Sequence, residues 1–145
     1  MIIALDTGIH VRATPRSSGP ARRLLQRIAD DSSHVLAISP FILAEIGKVL
    51  CYPRMQSLLG VTPEEIHEHL AYLRSICRIV EPEVGFPVVL NDPDDDPIVY
   101  TAVAAGADVL CAVDRHFHAP NVVAFCQRYR IQIMTDLELL SRLTG

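Results

Sequence analysis

Short apolar runs recur along this chain, separated by stretches patterned as helices, and that alternation leaves few folds open. Ile2–Leu5, Val35–Ile38, Ile76–Val80, Val109–Val113 and Ile131–Met134 are the runs. Segments this short and this apolar fit strands buried on both faces, the last of them an edge strand. Between them, Ala21–Ala29 places Leu24, Leu25 and Ile28 on one helical face. Ser39-Pro40 is a helix start, a serine N-cap with proline at the first helical position, and the helix runs to about Leu50 before Pro53 stops it. Thr62-Pro63-Glu64-Glu65 repeats that signal and opens a helix to about Ser75. Asp96-Pro97 begins another through about Ala105, Ala119–Tyr129 reads as a short helix, and Asp136–Leu143 closes the chain. Gly8, the stretch Thr14–Pro20 and the segment Pro82–Pro97 read as loops. Strands alternating with helices give an α/β fold, a four- to five-stranded parallel sheet with helices on both faces.

The 145 residues fit one domain, 1–145, and half of them are apolar, enough for a substantial core. No apolar run approaches the roughly 18 residues that a membrane span needs, and the start of the chain lacks the pattern of a signal peptide. The expectation is a soluble cytoplasmic protein. Cys51, Cys77, Cys111 and Cys126 are widely spaced, with no CxxC pair, and read as small core residues rather than a zinc or redox site. The net charge of −4 argues against a generic polyanion binder. Its distribution is uneven, however: Arg12, Arg16, Arg22, Arg23 and Arg27 fall in a stretch without a single acid. Arginine's planar fork suits phosphate contacts, while the plainer reading is a basic loop and a solvated helix face.

Four acids stand where folding does not require them. Asp6 closes the first strand, Asp114 closes the fourth, Glu45 interrupts the apolar pattern Phe41–Ile46, and Asp96 opens the helix before the fourth strand. Each has an ordinary explanation: an Asx-turn for Asp6, a helix cap for Asp96, a turn or ion pair for Asp114. Glu45 is harder to dismiss, because its helical neighbours Phe41, Ile42 and Val49 are apolar. In an open parallel sheet, functional groups collect beyond the carboxyl ends of the strands, so these four can converge. Two carboxylates about 5 Å apart repel by roughly 3 kcal/mol at an effective dielectric near 20. Mg²⁺ or Mn²⁺ is the natural counter-charge, and such ions support phosphodiester hydrolysis.

The segments Leu5-Asp6-Thr7, Ser39–Ile46, Asp92–Ile98, Ala105–Leu110 and Val113-Asp114 resemble, in order and spacing across nearly the whole chain, a PIN domain. The similarity is greatest to the branch of toxin components of type II toxin–antitoxin systems, the VapC-like proteins. That resemblance implies a Rossmann-like α/β/α sandwich and a Mg²⁺- or Mn²⁺-dependent endoribonuclease acting on single-stranded RNA. It also implies a homodimer and a cognate antitoxin that covers the acidic groove. The family's acidic quartet falls on Asp6, Glu45, Asp96 and Asp114. Arg12, Arg16 and Arg115 are then candidates for contacts to the RNA backbone.

Three positions depart from the family pattern. Gly8 stands where asparagine is usual, Ala112 where threonine or serine often precedes the last aspartate, and His116 where a further acid often follows it. These changes remove polar partners that orient metal ligands. They keep open a second reading, a weakened PIN-like domain that binds RNA or protein without cutting. A third, an aspartyl phosphotransferase, lacks a second acid two residues beyond Asp6 and any glycine-rich phosphate loop. His116 and His118 flank Phe117 and point apart in an extended segment, which favours a hydrogen-bonded or exposed role over metal ligation. His67 and His69, two apart on a helix, do not share a face.

Overall fold

Ile3, Ala4 and Leu5 of the first strand, β1 (Ile2–Leu5), are buried at the centre of the molecule, as a continuous apolar run demands. The computed structural model describes all residues from Met1 to Gly145. β1 pairs in parallel with β2 (Val35–Ile38) on one side and with β4 (Val109–Cys111) on the other. β3 (Cys77–Ile79) and β5 (Gln132–Met134) form the edges, giving a five-stranded parallel sheet in the order β3-β2-β1-β4-β5. The chain works outward from β1 to β3, then returns to lay β4 on the opposite side of β1. Right-handed crossovers therefore place the helices of the two halves on opposite faces, the α/β/α arrangement.

The helices are α1 (Thr7–Arg12), α2 (Pro20–Asp30), α3 (Pro40–Leu50), α4 (Pro53–Leu59), α5 (Pro63–Ile76), α6 (Asp96–Ala105), α7 (Pro120–Arg128) and α8 (Asp136–Thr144). Their start signals act as the residues suggest. Ser39 caps α3 by accepting the Ile42 amide, and Thr62 with Glu65 forms a reciprocal capping box on α5. Gly60 and Gly106 end α4 and α6 at φ 63° and 61°, the left-handed conformation that a side chain would strain. No helix is long and apolar enough to cross a membrane.

The structure differs from the sequence reading at several positions. Gly8 lies inside α1, not in a loop, because Asp6 caps that helix through the Ile9 amide. Pro53 ends α3 but also occupies the first turn of α4, a helix the sequence reading omits. β4 stops at Cys111, so Asp114 does not close the strand but caps a 3-10 turn, Arg115–His118, and His116 and His118 lie in that turn rather than in an extended segment.

Candidate metal centre

The strand order reverses between β1 and β4, and a ligand crevice is expected beyond the carboxyl ends of strands at such a switch point. A cleft of about 460 Å³ lies there, lined among others by Asp6, Thr7, Arg12, Glu45, Asp95 and Asp114. Asp6 enters from the end of β1 and Asp114 from the end of β4. Glu45 comes from the middle of α3 and Asp95 from a 3-10 turn, Pro93–Asp95, that leads into α6. The hydroxyls of Ser39 and Thr101 bond at 2.8 Å in the core, tying α3 to α6 and so fixing the separation of the two acids those elements carry. Four carboxylates face a single guanidinium, that of Arg12.

Three of the four acids expected from the sequence thus share the cleft, and the fourth does not. Asp96 is buried and does not line the cleft. Its Oδ1 accepts the amides of Val88 and Val89 at 3.1 and 2.7 Å. It holds the preceding loop onto α6, with help from Asn121, which donates to the Val88 carbonyl, and Tyr100, which donates to the Phe86 carbonyl. The neighbouring Asp95 takes the place in the cleft. One residue of register decides the matter, because adjacent residues at a helix start project in different directions.

The arginines also divide. Arg12 stands at the cleft and donates to the Gly8 carbonyl. Arg16 forms a 2.9 Å ion pair with Glu65 on α5, and Arg115 is exposed beside Asp114 without lining the cleft. Of the altered positions, Gly8 lies beside Asp6, with room for a Cβ 3.6 Å from its Oδ1, and Ala112 is wholly buried. His118 donates from Nε2 to the Ala112 carbonyl at 2.6 Å. His116 lies near acids rather than in solvent: one of its ring nitrogens and single oxygens of Asp92 and Asp95 all fall within 4.8 Å of one another.

Electrostatics mark the cleft as a site for a cation. Burial pushes the Asp6 carboxyl up to about 6, with Asp114 adding to the effect while the Ile9 amide and Arg12 oppose it. Asp95 is pushed up to about 7 by desolvation and then by Asp92, Glu45, Asp114 and Asp6. The Glu45 carboxylate has no hydrogen-bond or ion-pair partner, and the Thr7 hydroxyl is buried without one. Mutually repelling oxygens with unsatisfied polar atoms beside them fit a hard divalent ion with oxygen ligands.

Behind the cleft, α1 buries His10 completely, and neither of its ring nitrogens has a hydrogen-bond partner. His69 of α5 donates from Nε2 to the His10 carbonyl at 3.0 Å. Desolvation, with His69 nearby, lowers His10 to about 3. The unfolded chain therefore takes up a proton near pH 6.5 that the folded chain refuses until about pH 3, and stability falls as pH drops through that window. At pH 5 the loss from this group is about 2 kcal/mol. Asp6 and Asp95 shift in the opposite sense, so the comparison needs a control. Urea unfolding of the wild type and of His10→Leu at pH 7.5 and 5 should show the variant gaining about 2 kcal/mol on the wild type at the lower pH.

A family profile described as the PIN domain matches residues 3–116. Among solved structures, a chain of the crystal structure of VapBC2 from Rickettsia felis bound to a DNA fragment from their promoter is similar in fold. The TM-score is 0.58 and the identity 18%, over 93% of this chain and 98% of that one. Comparison with curated proteins returns no match.

Proposed function

The chain belongs to the PIN domain family, and from that membership we propose that residues 1–145 form one PIN-like domain that cleaves single-stranded RNA. The observation that carries this reading is the convergence of Asp6, Glu45, Asp95 and Asp114 on one cleft at the switch point of the sheet. PIN domains are generally nucleases, and divalent metal is their usual cofactor. In this reading Asp6, Asp95 and Asp114 hold Mg²⁺ or Mn²⁺, with Asp95 taking the part that the sequence alone gave to Asp96. A bound ion supplies Lewis acidity toward the scissile phosphate and lowers the pKa of water.

The chain's own residues do the remaining work. Glu45, free of internal partners, faces the cleft from α3 and accepts a proton from the attacking water or orients it. Arg12 at the rim pairs with a backbone phosphate, and exposed Arg115 extends that contact along the strand. Arg16, held by Glu65, contributes at most a long-range field. The acidic cleft would repel RNA without its cation, so binding and catalysis both depend on the metal.

The toxin role is part of the same proposal. The similar fold seen in the VapBC2 complex supports a cytoplasmic toxin whose cognate antitoxin covers the cleft. Tyr52 and Leu58, exposed on and beside α4 next to the cleft residue Met55, offer apolar surface for an antitoxin or for a homodimer.

Asp6→Asn should reduce cleavage of single-stranded RNA in Mn²⁺ by at least about a hundredfold, since even indirect partners of a metal ligand are worth 10–100-fold. EDTA should stop the wild type, and Mn²⁺ should restore it. Unchanged cleavage in the variant would sink the assignment. The buried, apolar Ala112 favours the alternative of a domain that binds RNA without cutting it. That reading requires a wild type that does not cut in Mn²⁺ and gains no thermal stability from the ion.

A further inference from the structure

Asp92, Asp95 and His116 each present one ligand atom, and all three atoms lie within 4.8 Å of one another. They come from two segments, each held by its own turn. The Asp95 amide donates to the Asp92 carbonyl at 3.0 Å, and the His116 amide donates to Asp114 Oδ1 at 2.9 Å. The His116 ring is therefore carried by the same turn as one cleft acid. Its Nδ1 is buried, lies 3.5 Å from Asp114 Oδ1, and has no hydrogen-bond partner. Around a six-coordinate ion with bonds of about 2.1 Å, opposite ligands stand about 4.2 Å apart. The observed spread closes to that size with side-chain shifts on the order of half an ångström.

We propose that Asp92, Asp95 and His116 form a second cation position on the rim of the cleft, and that its imidazole makes it take a first-row transition-metal dication in preference to Mg²⁺. It rests on the nuclease reading in that Asp95 is shared with the ion inside the cleft. Two carboxylates and a neutral imidazole balance a dication. Mg²⁺ favours oxygen ligands and sheds water reluctantly, whereas imidazole nitrogen suits Zn²⁺, Ni²⁺ and their neighbours in the series. His118 is not an alternative ligand, because its Nε2 is engaged with the Ala112 carbonyl. The His116 ring nitrogen is the one softer donor among the three ligand atoms.

The test is calorimetric titration of the metal-free full chain with Co²⁺ and with Mg²⁺, together with visible absorption of the Co²⁺ form. His116→Ala and His116→Asp are the variants. The wild type should bind two equivalents of Co²⁺ and His116→Ala one. His116→Asp should keep both, with the preference for Co²⁺ over Mg²⁺ at the weaker site reduced on the order of tenfold. The Co²⁺ absorption should shift as nitrogen is replaced by oxygen. Identical stoichiometry, preference and spectrum in all three proteins would overturn the inference. If Asp6→Asn abolishes RNA cleavage while the His116 variants are silent, the nuclease reading stands and the rim position falls. If the His116 variants alter Co²⁺ binding in a chain that cuts no RNA, the rim position stands without it.

Discussion

Asp96→Ala should lower the stability of the chain by about 3–5 kcal/mol, a large share of the 5–15 kcal/mol that holds a typical domain together. The buried Asp96 carboxylate accepts two backbone amides, those of Val88 and Val89, both through the same oxygen. Alanine leaves two buried donors without partners, each costing about 1–3 kcal/mol, and also removes charge-assisted bonds. Urea denaturation should show the fall in midpoint, and hydrogen exchange should show the amides of Val88 and Val89 opening first. Asp96→Asn keeps an acceptor in the same place and should recover most of the loss. RNA cleavage by Asp96→Asn, measured in Mn²⁺ below the unfolding range, should stay near the wild-type rate. If it falls as far as in Asp6→Asn, Asp96 belongs to the metal set after all.

Asp95→Asn, one residue earlier, should do the reverse: cleavage falls by at least about a hundredfold while the metal-free chain becomes more stable. Burial and four neighbouring acids raise the Asp95 carboxyl to about 7, against an ordinary 3.8. The folded state therefore binds a proton that the unfolded state has already released. Ionising Asp95 costs nothing below about pH 4, costs progressively more as pH rises through the window, and costs its full amount above about pH 7. Allowing for solvent screening of a half-buried group, the amide should recover about 1–2 kcal/mol at pH 8 and almost nothing at pH 4. Thermal melts in EDTA at the two pH values measure this directly. Adding Mn²⁺ should reverse the ranking, because the wild type gains binding energy that the variant lacks. A variant less stable than the wild type at pH 8 in EDTA would mean that the cleft acids do not repel.

The contrast between these neighbours shows where the sequence was legible. The buried strands announce themselves, since four or five apolar residues in a row suit nothing else between two helical patterns. The order of Asp6, Glu45 and Asp114 along the chain then leads to one edge of the sheet. Within Asp94-Asp95-Asp96-Pro97, by contrast, all three acids have the same chemistry, and the proline marks Asp96 as a helix start without saying where its carboxylate points. Asp96 does open α6, but the amides of Val88 and Val89 fold back onto it, a contact no local pattern encodes. Gly8 misleads for a different reason: a glycine two residues after an aspartate suggests a turn, while here the aspartate caps a short helix. His116 reads as a hydrogen-bonded or exposed histidine until the loop carrying Asp92 is folded against it. For Asp96 and His116 the deciding contact joins segments whose approach depends on packing, not on periodicity; for Gly8 it is the local Asp6 cap on the Ile9 amide.

The pairing of β1 with β4 joins Ile3 to Val109 and Leu5 to Cys111. Asp6 precedes all of its cleft partners along the chain: Glu45 lies in the same half of the sheet, whereas Asp95 and Asp114 follow only after β3. The half built from β1, β2 and β3 can dock early, but it holds only Asp6 and Glu45 on an open edge. Closing a loop of that length is slow relative to local helix formation. A nascent chain therefore carries no assembled cleft until Asp114 has emerged and β4 has docked beside β1.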